Sequence, residues 1–408
     1  MQTNIAAPFK NTADGREAEA ILRACVHCGF CTATCPTYQL VGDELDGPRG
    51  RIYLMKMVLE GEAPSRKTQL HLDRCLTCRA CETTCPSGVR YGRLVDIGRA
   101  AVDANVRRPL GERIMRRVLR AIVPYPQLFG FFYALGRIAP EQWSGGMCKT
   151  PRRLEAASWP ATRGLERKML ALDGCVQSVA TPTTNAAAAR VLAKLGIELV
   201  RAEGAGCCGA ISHHLTAPEE ARAFMRRNID AWWPHIEAGA EALVMTASGC
   251  GATVREYGHL LRDDPDYAVR AAKISELTRD LSEVLATENL RPFAGIGLGR
   301  RIAWHSPCTL QHGQKIVGVV ERILRTAGFD LVPVRDRHLC CGSAGTYSLL
   351  QKKLSEPLLR NKLDALQEGH PAVIATANIG CQLHLGSASK VPVHHWIELL
   401  DNPGLAVG

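Results

Sequence analysis

Eight cysteines near the start of the chain are spaced for one kind of chemistry. Cys25-x2-Cys28-x2-Cys31-x3-Cys35-Pro36 recurs fifty residues on as Cys75-x2-Cys78-x2-Cys81-x3-Cys85-Pro86. Two-residue gaps let the backbone curl around a cubane, so each run offers three thiolates to one [4Fe-4S] cluster. The fourth cysteine, before proline, reaches the other cluster of a two-cluster site. The spacing therefore assigns Cys25, Cys28, Cys31 and Cys85 to a first cluster, and Cys35, Cys75, Cys78 and Cys81 to a second. Zinc also takes four cysteines, but it usually pairs two C-x2-C units and has no use for a third sulfur at this spacing. His27 is a spacer among better-placed sulfurs. Such clusters pass one electron at a time, which predicts a relay from a two-electron donor such as a flavin to an acceptor such as a quinone.

A second set of cysteines is duplicated on a larger scale. Cys175, Cys207, Cys208 and Cys250 are matched by Cys308, Cys340, Cys341 and Cys381, with 31 residues between the first two members in each case and a Cys-Cys-Gly motif in the middle. Three separated loops bringing thiols together suggest a further metal site or redox-active thiols; small buried cysteines at tight glycine turns are the bland alternative. His213, His214, His305, His312, His338 and His384 lie near these motifs, and His305 and His384 are close enough to Cys308 and Cys381 to orient or replace a ligand. Cys148 stands alone and reads as a free thiol.

The elements that must position these residues follow from hydrophobic pattern. Around the first motifs Ile52–Leu59 and His71–Arg74 read as short helices and Asp46-Gly47-Pro48 as a turn, giving a small helical domain built on metal. Farther on, apolar runs at Met169–Leu172, Ala242–Met245, Ile302–Trp304 and Val373–Ile374 each end just before a cysteine. They alternate with helical segments such as Asn185–Leu195 and Glu321–Thr326. That alternation predicts an α/β module present twice, with the cysteines at strand ends where α/β folds place their sites. The expected organisation is α+β and multidomain: a mainly helical two-cluster ferredoxin-like domain over 1–110, a basic and aromatic linker over 111–165, and two Cys-Cys-Gly modules over 166–290 and 291–408.

Composition bounds the rest. With 408 residues and 17 cysteines, an N-terminus lacking an apolar signal segment predicts a reducing, cytoplasmic setting in which dense thiols are metal ligands rather than disulfides. The formal charge of +10 is partly local: Asn105–Arg120 carries Arg107, Arg108, Arg113, Arg116, Arg117 and Arg120 against Glu112, and reads as an amphipathic basic helix with Arg113, Arg116, Arg117 and Arg120 on one face. The uncharged stretch after it, Ala121–Gly136, is broken by Pro124 and Pro126 and is too short to span a bilayer. Attachment to a membrane surface and packing on a neighbouring domain are both open to it. The basic helix has no aromatic residues interleaved with its arginines, which argues against nucleic acid as a partner. Gly204-x-Gly206-x-x-Gly209 has cysteines where a dinucleotide-binding helix should open, and Gly295–Gly299 precedes its strand. No residue set for holding a flavin or abstracting a hydride is visible, so no catalytic residue is assigned to this chain.

Taken together, Cys25–Tyr38, Asp43–Leu54, Cys75–Val89, Asn228–Cys250, His338–Tyr347 and Thr376–Leu385 closely resemble the iron-sulfur subunits of bacterial glycolate oxidases, nearly end to end. The resemblance implies two [4Fe-4S] clusters here and FAD on separate partner subunits that oxidise glycolate and D-lactate to the 2-oxo acid. It also implies electron transfer toward a quinone and a peripheral place on the inner membrane. The cluster subunits of anaerobic glycerol-3-phosphate dehydrogenase and of lactate-utilisation systems are similar, and a thiol-handling reductase acting at the Cys-Cys-Gly modules is the alternative of another class. In the similar heterodisulfide reductase subunit each module ends in C-x-x-C and supplies five cysteines. Here Cys250 is followed by Thr253 and Cys381 by His384, so each module offers four thiolates. His384 could complete a site in the second module, which makes that module the expected holder of any third cluster.

Overall fold

The computed structural model describes residues 1–138, 158–160 and 164–406; Cys148 lies outside them. The chain forms two compact units. Unit one comprises Met1–Val118 with Gln311–Gly313 and His338–Lys362, and unit two comprises the remaining residues.

Unit one is helical. Its helices α1 (Ala13–Ala24), α2 (Pro48–Leu59), α3 (Arg66–Asp73), α4 (Ala80–Thr84) and α5 (Tyr91–Asn105) extend the short helices expected from the sequence. Thr12 caps α1 by accepting the Gly15 amide, and Ser65 with Thr68 forms a capping box on α3. Ile52, Met55 and Leu59 recur at helical spacing and bury one face of α2 against Leu22, Leu72, Leu94 and Val95. At Gly98 an added Cβ would lie 2.5 Å from the Met55 side chain, so α5 crosses α2 too closely for any larger residue.

Helix α6 (Leu110–Ile122) follows, as the basic stretch predicts. Farther along the linker expected over 111–165, Pro126–Ile138 forms helix α7. Pro126 occupies its first turn, where a proline costs no hydrogen bond. Phe129 and Tyr133, one turn apart, pack on Val179, Ile379 and Leu383, which supplies the tertiary contact that stabilises the helix.

Unit two holds two four-stranded parallel sheets of identical order. The first is β2-β1-β3-β4, made of β1 (Arg167–Ala171), β2 (Ile197–Arg201), β3 (Leu243–Met245) and β4 (Thr278–Asp280). The second is β6-β5-β7-β8, made of β5 (Arg301–His305), β6 (Asp330–Leu331), β7 (Val373–Thr376) and β8 (Val393–His395). Register pairs Leu170 with Leu243 and Ile302 with Val373. Strands buried on both faces explain the unbroken apolar runs in the sequence.

The two modules share one core. Helix α8 (Thr183–Ala193) meets the helix Trp396–Asp401 with Ala188, Leu192, Trp396 and Leu399 buried between them. Glu398 accepts hydroxyls of Thr183 and Thr184 at 2.8 Å each, and Arg190 pairs with Asp401 at 2.6 Å. His395 caps the helix Trp396–Asp401: its Nδ1 accepts the Ile397 amide at 3.2 Å while Nε2–H donates to the Thr246 carbonyl at 2.8 Å. Both ring nitrogens are satisfied only when the ring is neutral, and burial moves its pKa from the ordinary 6.5 down to about 4.

A pH dependence follows. A base with a depressed folded pKa contributes stability that is complete above 6.5 and is lost as pH falls toward 4. Wild type should lose roughly 3 kcal/mol of unit-two stability over that window through this ring. Urea unfolding at pH 7 and pH 4.5 is the measurement, and a His395→Gln protein should show a shallower decline. Equal declines in the two proteins would remove His395 as the cause.

Candidate iron-sulfur sites

The two N-terminal cysteine loops have the same backbone path. In the first, His27 and Gly29 flank Cys28 with φ of 58° and 88°; in the second, Thr77 and Arg79 flank Cys78 with φ of 53° and 61°. Left-handed residues on both sides of the middle cysteine turn the chain inward twice within seven residues. Threonine and arginine adopt that conformation only where the surroundings impose it, as functional loops do. Cys25 and Cys75 follow the ends of α1 and α3, Cys35 precedes the helix that opens at Pro36, and Cys85 closes α4.

These loops line two cavities. Cys25, Cys28, Cys31 and Cys85 line one, together with Cys81; Cys35, Cys75, Cys78 and Cys81 line the other. The electrostatics separate the sets more cleanly. Burial pushes the Cys31 thiol up to about 11, reinforced by Cys25, Cys28 and Cys85. Cys81 is raised by burial and then by Cys78, Cys75 and Cys35. Thiols crowded and buried in this way ionise together only around a cation, which is the donor set an iron-sulfur cluster requires.

The second cavity is also the more elaborately supported. Tyr91 donates its hydroxyl to Cys75 Sγ at 3.6 Å, the Thr77 amide lies 3.4 Å from the same sulfur, and Thr37 Oγ1 sits 3.3 Å from Cys35 Sγ. Arg51, 1% exposed, donates to the His71 carbonyl at 2.7 Å, to Thr37 Oγ1 at 3.1 Å and to Asp46 Oδ1 at 3.3 Å. Asp46 is fully buried and also engages His71 Nδ1 at 3.0 Å and Arg74 at 2.7 Å. Burial opposes the Arg51 charge, but Cys75, Tyr91, Cys35 and Asp46 more than offset it, so its pKa is raised. Arg99 holds the loop itself, donating to the Leu72 and Cys75 carbonyls and to Thr77 Oγ1.

In the first Cys-Cys-Gly module, the loops after β1 and β2 and the helix Ser248–Val254 after β3 bring Cys175, Cys207, Cys208 and Cys250 together. The thiols act on one another: Cys175 and Cys208 are raised by Cys207 and by burial, and Cys208 also by Cys250. Cys207 is held acidic by its neighbours. Donation from Cys175 and Cys208 holds it at about 4, with the Gly209 amide and the Arg227 charge adding to the effect. Gly209 has a φ of 87°, and a Cβ there would meet the Ala221 carbonyl at 2.9 Å. In the second module Cys308 and Cys381 lie in unit two, after β5 and in the helix Ile379–Gly386 that follows β7, whereas Cys340 and Cys341 lie in unit one. Gly342 repeats the left-handed turn of Gly209, with a φ of 90° and the Ser355 carbonyl 2.7 Å from an added Cβ.

Comparison with known proteins finds two domain families in the chain. The model of the 4Fe-4S dicluster domain family matches residues 21–89, and that of the cysteine-rich domain family matches 169–255 and 302–386. The glycolate oxidase iron-sulfur subunit of Escherichia coli (strain K12) is 55% identical over 98% of both chains. The chain belongs to the glycolate oxidase iron-sulfur subunit family. Another relative in that family, the probable glycolate oxidase iron-sulfur subunit of Bacillus subtilis (strain 168), is 29% identical over 96% of both chains. Lactate utilization protein A of Bacillus licheniformis is 26% identical but matches only 56% of this chain.

Within this glycolate oxidase iron-sulfur subunit fold, several supporting residues escape a reading of the sequence. Asn228 Nδ2 donates to the Cys207 carbonyl at 2.9 Å and its Oδ1 accepts the Gly206 amide at 2.9 Å, while Tyr257 donates to the Cys208 carbonyl at 2.9 Å. The available signal is an asparagine set between Phe224 and Trp232 on the buried stripe of α9 (Pro218–Glu237), where a polar side chain needs a partner. Asn378 connects the modules, accepting the Gly249 amide at 3.1 Å and donating to Cys381 Sγ at 3.5 Å. His312 has both ring nitrogens engaged, by Thr83 Oγ1 and the His338 carbonyl at 2.9 Å each. His305 and His384 are buried, at the end of β5 and on the Cys381 helix.

Proposed function

We propose that this chain is the electron-carrying subunit of a complex in which separate FAD-binding subunits oxidise glycolate, and also D-lactate, and that it passes the electrons toward a membrane quinone from a peripheral place on the inner membrane. The identity of 55% with the E. coli glycolate oxidase iron-sulfur subunit, over 98% of both chains, carries this reading. Lactate utilization proteins match little more than half of the chain, which favours glycolate oxidase over that alternative.

In this reading Cys25, Cys28, Cys31 and Cys85 hold one [4Fe-4S] cluster and Cys35, Cys75, Cys78 and Cys81 the other. Each bound cluster supplies a one-electron donor and acceptor. The chain's own residues do the remainder. Donors to Cys75 from Tyr91 and Thr77, with the Arg51 charge behind them, favour added negative charge at the second set. The first set opens to solvent at the exposed Cys28, where a redox partner can approach.

The clustered thiols of the first Cys-Cys-Gly module make it a candidate holder of a third cluster beside the C-terminal module expected from the sequence. Four sulfurs suffice for one cubane. Thr253 takes no part, since its hydroxyl donates to the Gly249 carbonyl at 3.2 Å. Anaerobically reconstituted full-length protein should then carry about twelve irons, and Cys208→Ser about eight. Equal iron in the two proteins would exclude the first module.

The function itself is tested by reconstitution. The purified chain is expected to reduce no dye with glycolate, and activity should appear when its co-purifying flavoprotein subunits are added. Turnover by the chain alone, or co-purification with glycerol-3-phosphate-oxidising or disulfide-reducing partners, would refute the assignment.

A further inference from the structure

Two consecutive helices leave their apolar faces in solvent. On α6, Leu110, Ile114, Met115 and Val118 are exposed and fall on one helical face. On α7, Leu128, Phe131, Phe132 and Leu135 are exposed at i, i+3, i+4 and i+7, and Tyr125 is exposed between the helices. Half of the large hydrophobic side chains exposed among the described residues fall within 110–135.

Each helix is nevertheless anchored by its other side. Arg116 of α6 pairs with Asp73 at 3.1 Å and Arg120 with Glu220 at 3.1 Å, and Leu119 is buried. Tyr133 of α7 is buried against Val179 and Leu383. The exposed faces are therefore held in place rather than loosely packed.

The charge around them has one sign. Arg107, Arg113, Arg117 and Arg137 are exposed on this stretch, and its one acid, Glu112, is already paired with Arg66. The sequence groups Arg113, Arg116, Arg117 and Arg120 on a single face. In the structure Arg116 and Arg120 are committed to ion pairs, while Arg113 and Arg117 are left beside Ile114 and Val118. Neither helix is long and apolar enough to cross a bilayer. Apolar and aromatic side chains on exposed helix faces, flanked by arginines with no unpaired acid, complement the acyl and headgroup region of an anionic bilayer.

We propose that the exposed faces of Leu110–Ile122 and Pro126–Ile138 each bind anionic lipid. This rests on the peripheral-membrane reading above and names the residues responsible. The test is flotation of the assembled complex with vesicles of phosphatidylglycerol and phosphatidylethanolamine or of phosphatidylcholine alone. Wild type should float with the anionic vesicles and release in high salt. Phe131→Ser/Phe132→Ser should lower binding at least tenfold, and Arg113→Gln/Arg117→Gln should abolish the preference for anionic lipid, both with unchanged thermal unfolding and unchanged glycolate-dependent dye reduction in solution.

If the phenylalanine variant floats as wild type does, or if wild type ignores protein-free vesicles, the surface assignment is wrong. A phenylalanine variant that loses its partner subunits shows a protein-docking face and also overturns it. Fractionation of cells separates the two levels: wild type recovered wholly in the soluble fraction refutes the peripheral reading itself.

Discussion

Replacing Cys85 by alanine is expected to remove the cluster on Cys25, Cys28 and Cys31, fifty residues and more away in sequence, and to leave the one on Cys75, Cys78 and Cys81, its nearer neighbours. Cys85 lines the cavity of the first set, and Cys31 responds electrostatically to it. A cubane with three thiolates has one iron exposed and is readily lost, so iron should fall by about four atoms. Glycolate-dependent electron transfer through the complex should fall to background. Cys35→Ala is the reciprocal case and should spare the first set. Electron paramagnetic resonance of the two reduced variants discriminates them, and retention of the Cys25 cluster in Cys85→Ala would disprove crossed ligation.

Arg51→Met should be the most destabilising non-cysteine change in unit one. Asp46 has no solvent exposure, and Arg51 is its most buried cationic partner. Removing one partner of a buried pair costs about 3–5 kcal/mol, and here it leaves Asp46 with Arg74, at 2.7 Å, as its arginine partner. The same substitution removes the Arg51 donor from the His71 carbonyl and from Thr37 Oγ1, which keeps its 2.8 Å bond to the Asp46 carbonyl and its contact with Cys35. Reversible urea unfolding of the complete chain, with iron content followed in parallel, measures both effects. Asp46→Asn added to Arg51→Met should restore much of the loss, because the charge that was stranded is then gone. A single-variant loss below about 1 kcal/mol, or no rescue in the double variant, would show that Arg74 and His71 suffice for Asp46.

The candidate ligands were legible in the sequence because their geometry is local. A two-residue gap fixes how tightly the backbone curls, and both loops answer with the same pair of left-handed residues around the middle cysteine. The duplicated modules were legible for a related reason. Parallel strands buried on both faces must be continuously apolar, and the glycine after each Cys-Cys pair must be left-handed, so Met169–Leu172 with Gly209 and Ile302–Trp304 with Gly342 announce the same unit twice.

What the tertiary structure decided is which distant side chains meet and which faces stay uncovered. Asp46 finds His71 across 25 residues and Arg74 across 28, and Asn228 reaches back 21 residues to Cys207; no periodicity records such pairings, since they arise from how helices pack. The helix Pro126–Ile138 was hidden by its flanking prolines, and it is stabilised by the contacts of Tyr133 and Phe129 rather than by local propensity. Its other face carries the same kinds of residue as a core. By composition alone Phe131 and Tyr133 are equivalent, and packing on Val179 and Leu383 covers Tyr133 while leaving Phe131 exposed.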